Sequence, residues 1–450
     1  MPNLSKDRVA FHIEAESASD FREVEEDEPF RIALLGDFKG ASDRAPVASR
    51  KPILIDRDNF EEILAKLDVT IELPTGKLRI GSLDHFQPDH IYATYPAFTE
   101  FREARGKLSN PDTFAEAARD LLGEKPAPMP AFSGSLLDLI AGESGAAAKP
   151  ARATDDLQDF IDDAMRSSLA PKEDPRAPEL IRQVDEIASD VMRVILKNAN
   201  FKAVEAAWRT VHYLVQRLET GTELKIYLID VTKEELVSSI DDVYRMLVQR
   251  SDPWAVMAGN YAFGSGDLTA LGLMSRIALK AQAPFLAEAD GSLLGGGAEW
   301  EAFRQTAEAG QAGLALPRVL VRMPYGKAAV PCETFDFEEI SGKPNAKCML
   351  FGSAAYFAAM LIGEAFTNYG WQLRPGMVQE ISNLPIYTYE DDGESKAFPC
   401  AEIAITEETA EALIDAGFMP LAAIRNSDVV RLLKFQSVSD PAAALPGRWQ

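Results

Sequence analysis

The sequence predicts a mixed α/β protein in which mixed sheets are flanked by helices. Apolar runs that are typical of buried strands alternate with apolar stripes at helical spacing, and this alternation indicates an α/β architecture. The clearest strands lie at residues 30–38, 224–230 and 318–323, and the clearest later helices at 269–280 and 353–369. We therefore expect helices to pack on the faces of a central sheet.

The N-terminal region, residues 1–105, begins with the pattern of a short strand on a tether. Val9, Phe11 and Ile13 alternate with polar residues, as in a half-exposed strand. An acidic stretch without proline follows at residues 14–28. The pattern therefore predicts a short strand joined to the rest of the region by an acidic tether.

The rest of this region carries the signals of one helix and one hairpin. Asp58 is a candidate N-cap for a helix over residues 60–67. Two strands are predicted at residues 69–73 and 78–80, because residues 74–76 (Pro-Thr-Gly) form a turn signal between them.

Residues 106–155 have the composition of a linker, rich in Ala, Pro, Gly and Ser. They contain one amphipathic island that predicts a short helix, with a serine to cap it and apolar residues along one face. The candidate residues are Ser135, Leu136, Leu137, Leu139 and Ile140. The pattern alone leaves two interpretations open: the helix binds a partner, or it packs on its own chain.

The third region, residues 156–450, opens with two long apolar stripes at helical spacing. The stripes cover residues 180–195 and 201–218, and residues 198–200 (Asn-Ala-Asn) separate them. Two helices with so short a connection form an αα-hairpin. Further strands are predicted after the hairpin, the last of them at residues 402–405.

The composition excludes several classes of function. The net charge of −24 repels phosphates, so the sequence does not indicate a nucleic-acid-binding protein. The three cysteines are widely spaced and odd in number, which does not indicate a disulfide framework or a metal knuckle. We expect a cytoplasmic protein without membrane insertion, since the chain shows no signal peptide and no run of about 18 apolar residues.

No sequence pattern indicates catalysis or a cofactor. The glycines at 259 and 264 have the spacing of a phosphate loop, but Ser265 stands where the lysine is needed. His85 and His90 lie near acidic residues, which leaves a metal site or a solvated loop, the latter favoured. The acidic run 390–394 indicates a cation site or, better, a hairpin turn at its Asp-Gly pair. We therefore expect no enzyme and assign no catalytic, cofactor or metal residues.

A series of ordered blocks in the third region resembles TssC, the VipB/EvpB-type large subunit of type VI secretion sheaths. The stretch 200–215 is similar to the hallmark helix of that subunit, and 316–326 is the most specific match. The resemblance covers residues from about 156 to 438. The matching residues that we expect in the family core are Trp208, Tyr213, Pro317, Arg318, Tyr325 and Trp371.

The N-terminal region is similar to TssB, the VipA-like small sheath subunit, in the blocks 30–38, 50–60 and 82–88. The two subunits normally are separate chains that fold together into one protomer. The resemblance therefore implies a fusion: residues 1–105 as small subunit, 106–155 as linker and 156–450 as large subunit. It also implies that residues 30–38 add a strand to the sheet of the larger segment.

The family resemblance implies a structural role in a contractile injection apparatus. Such a protomer polymerises helically with itself or with other sheath subunits, surrounds an inner-tube protein and contracts. The helix at 135–140 resembles the one that a ClpV-type unfoldase recognises, and the strand of Val9, Phe11 and Ile13 resembles the one exchanged between protomers. Large subunits normally continue beyond the segment matched here. This leaves the alternative of a sheath-derived cap, baseplate adaptor or regulatory binding protein that does not polymerise.

Overall fold

A computed structural model of the chain describes residues 24–25, 28–110, 113–114, 117–118 and 176–449. We call residues 28–118 the N-terminal segment and residues 176–449 the C-terminal segment. The helices in these parts are α1 Phe60–Lys66, α2 Pro88–Thr94, α3 Thr99–Ser109, α4 Arg176–Lys197, α5 Ala199–Arg217, α6 Glu235–Ser238, α7 Ile240–Val248, α8 Leu268–Ala281, α9 Ala298–Arg304, α10 Ala354–Tyr369 and α11 Glu407–Asp415.

The strands in the same parts are β1 Phe30–Gly36, β2 Ile53–Ile55, β3 Val69–Leu73, β4 Gly76–Ile80, β5 Leu224–Asp230, β6 Val256–Phe263, β7 Phe285–Ala289, β8 Ala312–Leu316, β9 Val319–Arg322, β10 Leu350–Gly352, β11 Glu380–Ile381, β12 Thr388–Asp391, β13 Glu394–Ala397, β14 Met419–Ala423 and β15 Val430–Leu432. Short 3₁₀ turns connect several of them.

A nine-stranded mixed sheet forms the centre of the molecule, in the order β11-β15-β14-β8-β7-β6-β1-β5-β2. Strand β1 of the N-terminal segment lies in its interior and pairs in parallel with two strands of the C-terminal segment. Phe30 pairs with Leu224 of β5, and on the other side Ile32 pairs with Val256 of β6. The prediction that residues 30–38 add a strand to the larger segment is confirmed.

The sequence of β1 explains this central position. All seven of its residues are buried, and a near-continuous apolar run is what a parallel strand covered on both faces requires. Because successive side chains point to opposite faces, Phe30, Ile32 and Leu34 enter the core on one side of the sheet. Ala33 and Leu35 enter the core on the other side. The N-terminal segment therefore contributes to both cores of the molecule.

Helices cover both faces of the sheet. On one face, α10 lies against β1, β6, β7 and β8, and α5 packs on its outer side. Most of α10 is buried, since it is covered by the sheet and by α5 at the same time. On the other face, α8 lies against β6, β7 and β8, with α7 and α9 beside it. The predicted α/β class with helices flanking a mixed sheet is confirmed.

The predicted αα-hairpin is present as α4 and α5. Asn198 separates the two helices, and its side-chain oxygen accepts a hydrogen bond from the backbone N–H of Phe201 at 3.0 Å. This is an N-cap contact, which satisfies one of the free amides at the start of α5. The hairpin also contacts the N-terminal segment, since α4 packs on α3 and α5 packs on β3.

Two local predictions were wrong. Asp58 does not cap α1: the N-cap position is Asn59, and the carboxylate of Asp56 accepts the backbone N–H groups of Asp58 and Asn59 at 3.0 and 2.9 Å. Residues 402–405 do not form a strand. Only Ala401 makes an isolated bridge, to Val319, and Ile403 is 61% exposed, so no second face covers this stretch.

The hairpin turn in the acidic run is confirmed. Strands β12 and β13 pair in antiparallel fashion on either side of Asp392 and Gly393. Both turn residues have positive φ, 55° and 79°, as a two-residue hairpin with a right-handed twist requires. The turn between the two strands therefore explains why the run 390–394 contains an Asp-Gly pair.

Truncating β1 should destabilise the whole molecule. We expect Leu34→Ala to lower the free energy of unfolding by about 2–5 kcal/mol, because it leaves a cavity beneath a fully buried side chain. The matched control is Leu54→Ala on the edge strand β2, where the side chain is 42% exposed and the loss should stay below about 1 kcal/mol. Urea denaturation followed by circular dichroism measures both, and equal losses would contradict the central role of β1.

Candidate functional site: the junction of the two segments

Trp208 on α5 lies in the contact between the two segments. Its side chain is fully buried, and its indole N–H donates to the carbonyl oxygen of Phe38 at 3.0 Å. The rings of Phe38 and Phe60 meet it edge-on, with centroids 5.8 and 5.7 Å away. A large aromatic side chain with a satisfied polar group suits such a contact. Trp208 thus joins the hairpin of the C-terminal segment to the loop that follows β1 and to α1.

His212 lies one turn further along α5 and extends the same contact. Its ring packs edge-on against Phe60, with 5.0 Å between centroids. Burial, with a smaller contribution from the positive charge of Arg209, lowers the pKa of His212 below its usual value. His212 therefore acts as a packed aromatic side chain of this contact.

A buried cluster of four charges lies next to the junction. The guanidinium of Arg322 contacts Glu205 at 2.8 Å and Glu339 at 2.8 Å, and Arg209 donates to Glu205 at 2.7 Å. The side chain of Glu205 is inaccessible to solvent, and that of Arg322 is 6% exposed. Two arginines balance two glutamates, which is the condition under which charges can be buried.

Tyr325 connects this charged cluster to the N-terminal segment. Its backbone N–H donates to Glu339 at 2.8 Å, and its hydroxyl accepts a hydrogen bond from Arg209 at 2.9 Å. The same hydroxyl lies 3.4 Å from the carbonyl oxygen of Phe86, whose ring packs on Phe201 of α5. Burial raises the pKa of Tyr325 well above its usual range. Its neutral hydroxyl is thus held between both segments.

The charged cluster was not among the predicted residues, although the sequence contains a signal for it. Glu205 lies on the apolar stripe of α5, four residues after Phe201 and three before Trp208. Arg322 lies two residues after the buried Leu320, so it has the inward position on β9. A charge at an inward position indicates a buried partner, but the sequence does not show which residue that partner is.

Trp371 marks a second contact between the segments, at the start of β1. Its indole N–H donates to the carbonyl oxygen of Glu28 at 2.9 Å. Its ring lies 5.3 Å from that of Phe30 and 5.5 Å from that of Phe366 on α10. The structure therefore places Trp208, Tyr325 and Trp371, three of the six predicted core residues, between the two segments.

The other three predicted core residues lie within the C-terminal segment. The hydroxyl of Tyr213 donates to the carbonyl oxygen of Ser382, and burial raises its pKa to about 12. Pro317 is buried and follows a cis peptide bond. Arg318 lies at the surface, half exposed, and donates to both carboxylate oxygens of Glu402 at 2.9 and 2.6 Å.

Charged side chains of the molecule itself fill the edge of the sheet where β1 and β5 end. Open α/β sheets bind ligands at the carboxyl ends of their strands. Here Arg50 donates to both carboxylate oxygens of Glu235 at 2.8 and 2.6 Å, and Arg44 lies 3.4 Å from Asp230. Burial raises the pKa of the neighbouring Asp37 despite its contact with Arg44. The loop after β1 thus acts as a second polar contact between the segments.

The described residues show no constellation that would hold a metal ion. Across the described ranges, no three His, Cys, Asp or Glu side chains converge on one point. The rings of His85 and His90 stack in parallel, with 3.9 Å between centroids. The backbone N–H of Gly81 donates to Nδ1 of His85 at 3.0 Å, which leaves that nitrogen engaged in a local hydrogen bond.

Two predicted sites lie outside the described residues: the helix with Ser135, Leu136, Leu137, Leu139 and Ile140, and the strand with Val9, Phe11 and Ile13. In the part of the chain that is described, no helix combines the length and apolar character needed to cross a bilayer.

Breaking the charged cluster should cost far more stability than breaking a surface pair on the same stretch of chain. We expect Arg322→Met to destabilise the protein by about 3–5 kcal/mol, because Glu205 and Glu339 then remain buried without their partner. The control is Arg318→Met, which removes a half-exposed pair worth at most about 1 kcal/mol. Thermal and urea unfolding of both variants test this, and similar losses would refute the structural role of the cluster.

Comparison with known families identifies both segments. The VipB family model, described as EvpB/VC_A0108, tail sheath N-terminal domain, matches residues 178–297 and 296–439. A second family model, described as type VI secretion system, VipA, VC_A0107 or Hcp2, matches residues 2–121. The VipA-type match thus covers the N-terminal segment, and the VipB-type match covers most of the C-terminal segment.

A curated relative agrees with these matches. The chain is 28% identical over 305 residues to the type VI secretion system sheath protein TssC1 of Pseudomonas aeruginosa. The aligned part is 58% of this chain and 61% of TssC1, so the chain spans less than two thirds of the length of that relative. Because the VipB model alone matches more than half of the residues, the chain belongs to the VipB family of type VI secretion tail-sheath proteins and carries a VipA-type segment ahead of it.

Proposed function

We propose that this chain is a structural subunit of a contractile type VI secretion sheath, and that it unites the small and the large subunit in one polypeptide. It polymerises with its own copies or with other sheath subunits around an inner tube and works by changing between two packings of the polymer. The observation that carries the proposal is the position of β1 of the VipA-type segment between β5 and β6 of the VipB-type segment.

A subunit that transmits mechanical load must not separate into its parts. The junction meets this requirement in three ways: β1 pairs on both sides with the larger segment, Trp208 and Tyr325 bond to the smaller one, and Arg50 bridges the ends of the strands. The covalent connection adds a high effective concentration of one segment near the other. The described contacts thus support a protomer that behaves as one body.

The contacts of the protomer with its neighbours and with an unfoldase would come from two segments outside the described residues, one that precedes β1 and one at 135–140. We propose that Val9, Phe11 and Ile13 form a strand that adds to a sheet of a neighbouring protomer, with residues 14–28 as its tether. Backbone pairing would supply the affinity of this contact, as it does in other strand-addition complexes. The helix at 135–140 would present its apolar face to a ClpV-type unfoldase after contraction.

This role needs no catalytic centre or cofactor, and its setting would be the cytoplasm. The filled strand ends near Arg50 and Glu235 support the view that the protein acts through its outer surfaces. Its work would then come from the free-energy difference between two packed states, which an interface with two discrete arrangements can store.

Electron microscopy of the purified full-length chain tests the sheath proposal. At high protein concentration we expect tubes, since the protomer contains both segments. A variant that lacks residues 2–23 should give the same circular dichroism spectrum and a similar melting temperature but no long tubes, because the inter-protomer strand is gone. A full-length chain that stays monomeric on gel filtration at every concentration would instead indicate a cap, an adaptor or a regulator.

Unfoldase binding tests the helix at 135–140 separately. We expect the triple variant Leu136→Ser, Leu139→Ser and Ile140→Ser to lose binding to a ClpV-type unfoldase at least about tenfold, since an apolar helix face provides the affinity in such contacts. The control is Asp138→Asn, on the polar side of the same helix. Fluorescence anisotropy with labelled unfoldase measures both. Unchanged binding of the triple variant would exclude this helix as the recognition element.

A further inference from the structure

Residues 438–448 run along the edge of the sheet where its parallel strands begin. The backbone N–H of Val438 donates to the carbonyl oxygen of Ala312, the first residue of β8, at 2.9 Å. Leu445 is buried and packs closely on Gly313 of the same strand. A residue with a Cβ atom in place of this glycine would bring that atom within 3.1 Å of Cδ2 of Leu445. Arg448 then reaches Glu28, just before β1. Since β7 and β6 lie between β8 and β1, the segment crosses about 14 Å of sheet edge.

Arg448 makes a nearly solvent-free ion pair with Glu28. Its Nη1 atom donates to Oε1 of Glu28 at 2.6 Å, and the two side chains are 1% and 6% exposed. The guanidinium also lies over the ring of Trp371, 4.9 Å from its centroid. Charge-assisted hydrogen bonds are among the stronger ones. The attraction between the two charges is greater where water is excluded, although burying them also costs desolvation energy.

Glu28 is therefore held twice, by its side chain and by its backbone. Arg448 binds the carboxylate, and the indole N–H of Trp371 binds the carbonyl oxygen at 2.9 Å. The next hydrogen bond in sequence is the first of the sheet, from the N–H of Phe30 to the carbonyl oxygen of Glu223 at 2.7 Å. The contacts to Glu28 thus lie at the point from which β1 would otherwise fray.

We propose that Arg448 and Trp371 form a latch on Glu28 that holds the start of β1 in the sheet and fixes the place where the preceding chain leaves the body. A strand end without such contacts opens one hydrogen bond at a time, at low cost. This consequence rests on the proposed function, in which residues 14–28 tether the protomer to a neighbour. A force along that tether would act on the contacts of Glu28 before it acts on the hydrogen bonds of β1.

The family matches do not account for this latch. Glu28 lies within the VipA-type match and Trp371 within the VipB-type match, but Arg448 lies beyond the last matched residue, 439. Arg31, within the VipA-type match, lies 3.9 Å from the same carboxylate oxygen, but the hydrogen-bonded contact at 2.6 Å comes from a stretch that neither family model covers. Residues 440–449 thus serve to secure the entry of β1.

Hydrogen–deuterium exchange on the full-length chain tests the latch. In Arg448→Met, which keeps much of the side-chain volume, we expect the amides of residues 30–33 to exchange at least about tenfold faster, because a hydrogen bond to a charged group is lost. The amides of β7 should be unchanged. The control is Arg431→Met, which removes an exposed pair with Glu380 at the far edge of the sheet and should leave residues 30–33 protected.

Trp371→Phe provides a second, independent variant should Arg448→Met fail to fold. It keeps an aromatic ring but removes the N–H that binds the Glu28 carbonyl oxygen, and it should also accelerate exchange at residues 30–33. Unchanged exchange there, or acceleration spread evenly over the sheet, would overturn the latch. The experiment uses unassembled protein, so a failure to form tubes would count against the sheath proposal and leave this result intact.

Discussion

The parallel pairing of β1 with β5 and β6 is the interaction on which the rest of the structure depends. Without β1 the two strands of the larger segment would lie on either side of an empty position, and both cores of the sheet would lose side chains. Trp208 binds the chain just after this strand, and Arg50 binds the end of its neighbour β5, while Tyr325 reaches the N-terminal segment further along, at Phe86. They fix a smaller segment that the sheet has already incorporated.

The parts of the fold that the sequence predicted well are those with a strong local pattern. Such patterns can be recognised within a short window of sequence. Examples are the stripes of α4 and α5, the apolar run of β1 and the Asp-Gly turn of the β12–β13 hairpin. Strands β10 and β11 have only three and two residues, and they exist because their partners β9 and β15, far away in sequence, present free hydrogen-bonding groups. No local pattern predicts such strands.

The candidate site shows the same division. The residues of the family pattern could be named in advance, yet their contacts depend on the tertiary arrangement. Trp208 and Trp371 both donate to carbonyl oxygens of the smaller segment, which no spacing within the larger segment reveals. Glu205 and Arg322 form an ion pair although they belong to a helix and a strand far apart in sequence. Their inward positions can be predicted from periodicity, but which residues pair depends on the three-dimensional fold.

The interior position of β1 has a consequence for biosynthesis. This strand leaves the ribosome long before β5 and β6, so it must wait, unpaired and apolar, until both of its neighbours have been made. Such late, non-local pairing slows folding and exposes a strand to the wrong partners meanwhile. In a fused chain the right partner always arrives on the same nascent polypeptide, so every finished molecule contains the two halves in equal number.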